Sequence, residues 1–274
     1  MEQSKVHMIT SEELKKFQES HKEKDYIIID VRQPAEYTQG HIPGAKLIPL
    51  PTLGQRVTEL PVDRDIVFYC RSGTCSMTAA TFASDYDVSR GKIYNLKGGI
   101  MAYNGQKLPD FPRLQTFGNA KTHADLLIQS MELEKGARLF YTHIKDKFSS
   151  EPFASVFEQI ADQETGHART IYNYLKKEKD DIQSFENFFE ELKGDIIESG
   201  EDLTSMFARV DSLEGSPCIN LIEMSLIIEN SAYDLHRTIA EQIDKDDIKE
   251  VFFRLAQLEK SHMQTIANSL EKCS

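Results

Sequence analysis

Two short stretches pair a glutamate with a histidine at helical spacing, Ala161-Asp-Gln-Glu164-Thr-Gly-His167 and Ala256-Gln-Leu-Glu259-Lys-Ser-His262. Residues at i and i+3 share a helix face, so each stretch aims a carboxylate and an imidazole at one point. A further glutamate precedes each pair by the same interval, Glu134 (164 − 134 = 30) and Glu229 (259 − 229 = 30), and the whole set recurs after 95 residues (229 − 134 = 95). Four glutamates and two histidines from four helical stretches are the ligand set of a carboxylate-bridged two-metal site within a four-helix bundle. The plainer alternative is four surface glutamates and two coincidental histidines in an acidic helical region; equal spacing in both copies argues against it.

A thiol carries the second chemistry. Cys70 ends the apolar run Asp65-Ile-Val-Phe-Tyr-Cys70, and the loop Cys70, Arg71, Ser72, Gly73, Thr74, Cys75 leads into a helix beginning near Ser76. Such a strand–loop–helix turns successive N–H groups toward one point, and the helix N-terminus adds partial positive charge. A cysteine held there is a thiolate and a nucleophile at neutral pH. From its position alone Cys70 is equally a buried strand-end cysteine.

The elements that must position these groups fall into two textures, which predict domains over 1–115 and 116–274. In the first, Thr10-Ser-Glu-Glu13 is a capping box for a helix to about Ser20. The runs Asp25–Asp30, Asp65–Cys70 and Lys92–Leu96 read as strands of a parallel sheet, alternating with helical stretches near Leu53–Leu60 and Met77–Tyr86. Asp30 and Arg32 are expected to form an ion pair tying the strand end to the loop, in preference to direct chemistry. In the second, Thr122 and Asp125 cap a long helix to about Phe148, a second runs from Ser150-Glu-Pro152 to about Lys177, Ser216-Pro217 opens a third to about Ile243, and Asp246-Asp247 a fourth to near Leu270. Residues 180–214 form a long connection in two short helical pieces broken at Ser199-Gly200. The expected architecture is an α/β domain followed by an all-α four-helix bundle with one long crossover. Leu127, Met131, Glu134, Ala137 and Tyr141 fall on one stripe of the first long helix, and Glu229, Ala232, Tyr233 and His236 on one stripe of the third. A charged glutamate buried alone in such a stripe costs several kcal/mol, so the pattern calls for cations. Gly136, Ala137, Ala161, Ala232 and Ala256 are read as leaving room beside the ligands.

Charge and composition narrow the setting. Residues 1–115 carry 15 basic and 14 acidic side chains, and 116–274 carry 17 and 30, so the total of −12 lies almost wholly in the bundle. That excess argues against nucleic acid or an anionic membrane surface as partner. No apolar run reaches bilayer length and Met1–Thr10 lacks a leader pattern, which makes a cytoplasmic protein the expectation. Cys70, Cys75, Cys218 and Cys273 are too few and too irregular for a disulfide framework, and none forms a C-x-x-C pair.

The first domain closely resembles the rhodanese family of single-domain sulfurtransferases over residues 7–108. The motifs that carry the likeness are Asp30-Val-Arg32, Glu36-Tyr37, Gly40-His-Ile-Pro-Gly-Ala45, Tyr69-Cys-Arg-Ser-Gly73 and Tyr94-Asn-Leu-Lys-Gly-Gly-Ile100. The resemblance implies that Cys70 takes a sulfur from a small-molecule donor as a persulfide and passes it to a nucleophilic acceptor, with the loop N–H groups stabilising the charged sulfur. Related phosphatases have a cradle one residue longer that ends in arginine; a six-residue loop followed by Ser76 disfavours phosphate-ester hydrolysis. Many rhodaneses carry a basic residue where this chain has Cys75, which weakens the case for thiosulfate as donor. Cys75 is read either as a resolving thiol for the Cys70 persulfide or as a filler in a tight loop.

The second domain closely resembles the rubrerythrin branch of the ferritin-like superfamily over residues 120–272. That resemblance implies a di-iron centre on Glu134, Glu164, His167, Glu229, Glu259 and His262, with Glu164 and Glu259 as bridges. It makes Tyr141 the tyrosine that steadies a ligand carboxylate, with His236 its counterpart in the other half. A further helix-three glutamate of typical rubrerythrins is missing, because position 226 is leucine, and the rubredoxin electron donor is absent. Peroxide or oxygen is the implied substrate, with an unidentified electron donor. The ligand types suit iron or manganese, and zinc fits them too; bundles of this kind also associate as homodimers. A separate reading makes the front domain a sulfur carrier and the bundle a structural, iron-binding or sensing module.

Overall fold

The computed structural model describes residues 6–214 and 217–273. Ser216 and part of the Met1–Thr10 stretch lie outside the described residues. The chain divides into two compact units, Met1–Phe111 and Pro112–Ser274.

The first unit is a five-stranded, all-parallel sheet in the order β1-β5-β4-β2-β3, with β1 at Val6–Ile9, β2 at Tyr26–Asp30, β3 at Ala45–Leu47, β4 at Asp65–Tyr69 and β5 at Ile93–Leu96. Helices α1 (Ser11–Ser20), α2 (Pro34–Tyr37), α3 (Thr74–Asp85) and α4 (Gly99–Ala102) accompany it. Every residue of β2 is buried because apolar clusters cover both sheet faces, which explains its unbroken Tyr-Ile-Ile-Ile run. Helix α1 starts on the Thr10–Glu13 capping box and ends at Ser20.

Three details differ from the sequence reading. The short strands β1 and β3 were not legible, since β3 has only three residues. The stretch Leu53–Leu60 is not an α-helix; Leu50–Thr52 and Val57–Glu59 are separate 3-10 turns. Helix α3 starts at Thr74 rather than near Ser76, so Cys75 sits in its first turn instead of in the loop.

The second unit is a bundle of α5 (His123–Lys147), α6 (Ala154–Glu178), α9 (Cys218–Gln242) and α10 (Asp246–Asn268). Thr122 and Asp125 close a capping box on α5, while α6 begins at Ala154, just after Pro152. The crossover between α6 and α9 carries α7 (Phe185–Glu191) and α8 (Leu203–Asp211). Two apolar clusters fill the bundle. Leu127 and Met131 of α5, Ile171 of α6, Leu235 of α9 and Phe252 of α10 belong to one. Phe140, Ile160, Leu221 and Ile266 belong to the other. The glutamates and histidines of the repeat lie between them on all four helices.

Cys218, at the start of α9, is disulfide-bonded to Cys273 in the 3-10 turn Ser269–Cys273 that follows α10. The sequence reading, which expected no disulfide framework, missed this pair: its partners are 55 residues apart and meet only once the bundle is folded. Among the described residues no helix is long and apolar enough to cross a membrane.

Candidate sulfur and metal centres

Cys70 follows the last residue of β4, beside the carboxyl end of β2, where ligands gather in parallel sheets. Its Sγ is buried and accepts hydrogen bonds from the Gly73 N–H at 3.2 Å and the Ser76 hydroxyl at 3.4 Å. Burial alone would push the thiol up. Hydrogen bonds from the Ser76 hydroxyl and from the N–H groups of Ser76, Ser72 and Gly73 outweigh it and hold Cys70 below the usual thiol range.

The loop keeps this shape because Gly73 takes φ +93°, which side-chain-bearing residues avoid. Asn95 braces it from β5: its Nδ2 donates to the Gly73 carbonyl at 2.9 Å and its Oδ1 accepts from Ser76 at 2.6 Å. Arg71, Ser72, Thr74 and Cys75 are exposed around the thiol, and Cys70 and Cys75 are both free. Asp30 accepts two bonds from Arg32 Nε at 3.0 Å and one from Nη2 at 2.6 Å, and that Nη2 also donates to the Gly40 carbonyl. This buried fork ties the end of β2 to the following turn without touching sulfur.

The second centre is assembled from side chains. Glu134 on α5, Glu164 and His167 on α6, Glu229 on α9, and Glu259 and His262 on α10 are all buried. The two imidazole rings stack with centroids 4.6 Å apart. His167 Nδ1 lies 3.2 Å from Glu134, 3.1 Å from Glu164 and 3.3 Å from Glu259; His262 Nδ1 lies 3.0 Å from Glu229, 3.3 Å from Glu164 and 3.2 Å from Glu259. Glu164 and Glu259 therefore each face both imidazoles, while Glu134 and Glu229 each face one, as the 95-residue repeat requires. Tyr141 donates to Glu229 Oε1. Its repeat counterpart His236 is itself part of a potential ligand group with Glu134 and Glu259.

Charge divides along the same line. Burial disfavours ionised Glu164 and Glu259, but the flanking His262 and His167 outweigh it and hold both below the carboxylate range. Burial pushes Glu134 well up and Glu229 up to about 8, against the pull of His167 and His262.

The residues fit bound metal cations. Glu134 Oε1, Glu164 Oε2, Glu259 Oε1 and both nitrogens of His236 are buried without a hydrogen-bond partner. Buried polar atoms are ordinarily paired, and atoms of Glu164, His167, Glu259 and His262 able to ligate one ion lie within 4.8 Å of one another. Sequence reasoning missed three contributors. Asn95 sits inside a quoted motif but nothing in its type announced a bracing role. The others are Glu198 from the crossover and the ligand-side placement of His236. Gly136, read as leaving room for ligands, instead faces the crossover, since a Cβ there would lie 2.2 Å from the Ile196 carbonyl oxygen.

A thiol cradled by backbone amides and a buried carboxylate–imidazole cluster in a helical bundle define a two-domain protein with one centre suited to sulfur and one to metal ions. Comparison with known proteins agrees. The model of the rhodanese-like domain matches residues 10–106, and that of rubrerythrin matches 125–208, stopping before α9 and α10. A sulfurtransferase from Allochromatium vinosum is 41% identical over 86 residues, 31% of this chain and 78% of that protein. The uncharacterised protein YqhL of Bacillus subtilis is 40% identical over 79 residues, 29% of this chain and 61% of that one. A solved rhodanese-like domain protein from Staphylococcus aureus shares 28% identity at a TM-score of 0.33, covering 38% of this chain and 99% of that chain. The chain belongs to the rhodanese-like sulfurtransferase family through its first unit, fused to a rubrerythrin-type ferritin-like domain. The second domain thereby implies a metal-binding centre.

Proposed function

We propose that the chain is a two-domain redox and sulfur enzyme, in which a Cys70 persulfide sulfurtransferase is coupled to a di-iron carboxylate centre that reduces peroxide or oxygen. The observation that carries the reading is the presence of both sites in one chain: an amide-cradled thiol, and six buried ligand-type side chains with orphaned atoms.

In the sulfur half-reaction the Cys70 thiolate attacks the outer sulfur of a small-molecule donor. The S–S bond forms as the donor's bond to that sulfur breaks, and the donor leaves with the electron pair. A nucleophilic acceptor then attacks the outer sulfur of the persulfide and regenerates the thiolate. The Gly73 N–H and the Ser76 hydroxyl, aimed at Sγ, stabilise the anion at both stages.

Glu164 and Glu259 would be shared by two ions, with Glu134 and His167 completing the site of one and Glu229 and His262 that of the other; iron is the leading choice, and manganese or zinc fit the same donors. Two bound ferrous ions would supply the two electrons that peroxide reduction takes up. Tyr141 holds Glu229 in a single orientation, and the apolar clusters on either side limit water around the carboxylates. An external electron donor must restore the centre, and a cytoplasmic setting and a homodimer belong to the same proposal.

Anaerobic Fe(II) titration of the full chain, followed by hydrogen peroxide, tests it. Two irons per chain and rapid oxidation are expected. Cys70→Ser should leave iron content unchanged and abolish thiol-dependent peroxide consumption; unchanged turnover would sink the coupling. Iron uptake with no reaction would instead make the bundle a structural or sensing module attached to a sulfur carrier.

A further inference from the structure

The crossover does more than connect helices. From the end of α7 to the stretch before α8 it lies directly on α5 at residues 132–136. The Gly194 N–H donates to Glu132 Oε2 at 2.8 Å. Lys135, buried, donates through Nζ to the Phe189 and Glu190 carbonyls at 2.9 Å each, a cation at the C-terminal end of α7. At Gly136 the approach is so close that any side chain would strike the Ile196 carbonyl. The segment then folds into a small closed loop. Ile197 N–H donates to the Glu201 carbonyl, Gly200 N–H to the Ile197 carbonyl and Leu203 N–H to the Asp195 carbonyl, while Ile197 is buried in the bundle core.

The residue this loop presents inward is Glu198. It is 3% exposed, its Oε2 has no hydrogen-bond partner, and it forms a potential ligand group with Glu134 and Glu164, their ligand atoms within 4.8 Å. A buried carboxyl with no partner is costly to ionise unless a cation compensates it. Glu198 also lies outside the repeat, in the crossover between α7 and α8 rather than on any of the four helices that carry the paired ligands. His236 breaks the repeat on the same side. Tyr141 is hydrogen-bonded to Glu229, whereas His236 Nε2 lies 3.8 Å from Glu134 Oε1 and 3.6 Å from Glu259 Oε1 with both ring nitrogens unpartnered.

We propose that Glu198 is a seventh metal-ligating residue, delivered by the crossover to the metal position beside Glu134, and that it makes the two metal positions unequal. The inference rests on the reading of the bundle as a two-metal centre. It goes beyond the four-helix ligand set, in which every ligand comes from a bundle helix. The Glu134 position gains a carboxylate and has His236 within reach; the Glu229 position is closed by a tyrosine. The crossover thereby becomes part of the metal site, and its docking on Gly136 sets the ligand's place.

Titration of the metal-free full chain with Co(II) alone, followed by visible absorption, tests this without relying on turnover. The wild-type chain should take up two Co(II) in two steps of unequal affinity. Glu198→Gln, close in shape, should weaken one step at least tenfold, leave the other in place and change the d–d absorption. Gly136→Ala keeps every ligand and improves helix propensity, yet its methyl group must displace the crossover, so it should reproduce the same loss and the same spectral change. Two variants that match the wild type in both affinities and spectrum would overturn the role of Glu198 while leaving the metal centre standing. A wild-type chain that binds no Co(II) would overturn the metal reading and this proposal together.

Discussion

The two centres of this chain solve the same problem, holding negative charge in a buried place, with different materials. At Cys70 the charge is met by N–H groups of one contiguous loop and by one hydroxyl, so the site is largely backbone. In the bundle it is carried by carboxylates from four helices and met by two imidazoles. A backbone cradle depends on local conformation and tolerates varied side chains around it, as the exposed Arg71, Ser72, Thr74 and Cys75 do. A side-chain cage depends on tertiary packing and tolerates almost none. The first fails when the loop changes shape; the second fails when one ligand is lost or the helices shift.

The largest expected effect follows from that contrast. Glu259 faces both imidazoles and belongs to two of the potential ligand groups, so Glu259→Ala would remove a carboxylate that both proposed metal positions share. Loss of metal affinity should exceed the roughly 10–100-fold cost of removing a residue that only supports a ligand, measured as metal per chain after dialysis. Sulfur transfer from Cys70 should be unaffected. A variant that retains two metals, or loses sulfur transfer with them, would break the separation of the two sites.

How far each site was legible follows from the same difference. The bundle ligands could be read from one chain because a helix converts i, i+3 spacing into a shared face, and the 95-residue repeat states the pattern twice. Long strands such as β2 and β4 were visible as continuous apolar runs, whereas three-residue β3 carries too little pattern to be seen. Glu198 was invisible because irregular chain has no period: the segment that carries it packs on a glycine of α5, Gly136, 62 residues earlier (198 − 136 = 62). The Cys218–Cys273 bond was hidden for the same reason. Cys75 reads as part of the loop because the N-cap of α3 is Gly73, which has no side chain to announce a helix starting at Thr74.

A middle-sized effect should come from the tyrosine that supports one half of the metal site. Tyr141→Phe removes only the hydroxyl that donates to Glu229 Oε1, leaving a buried ring in the apolar cluster around Phe157. Glu229 keeps its contact with His262 but loses its fixed orientation. Metal affinity should fall by roughly 10–100-fold, and in a Co(II) titration the loss should fall on the step that Glu198→Gln leaves unchanged. If both substitutions weaken the same step, the two halves are not distinguished in the way the side chains imply.

The smallest effect tests the backbone cradle. The Ser76 hydroxyl has one proton and two acceptors in reach, Asn95 Oδ1 at 2.6 Å and Cys70 Sγ at 3.4 Å, so its donation to sulfur is shared. Ser76→Ala removes that share and leaves the Gly73 N–H in place. With one stabilising bond gone and burial unchanged, the thiol rises toward its ordinary range, and less thiolate is present at any pH below the new midpoint. Alkylation of Cys70 by iodoacetamide should then follow a pH curve displaced to higher pH. Its rate near neutrality should fall by no more than about tenfold, the equivalent of roughly one pKa unit, and should match the wild type at high pH, where both are thiolates. An unmoved curve would assign the thiolate to the backbone amides alone; a larger fall, persisting at high pH, would mean that Ser76 holds the shape of the loop through Asn95 as well as the charge on sulfur.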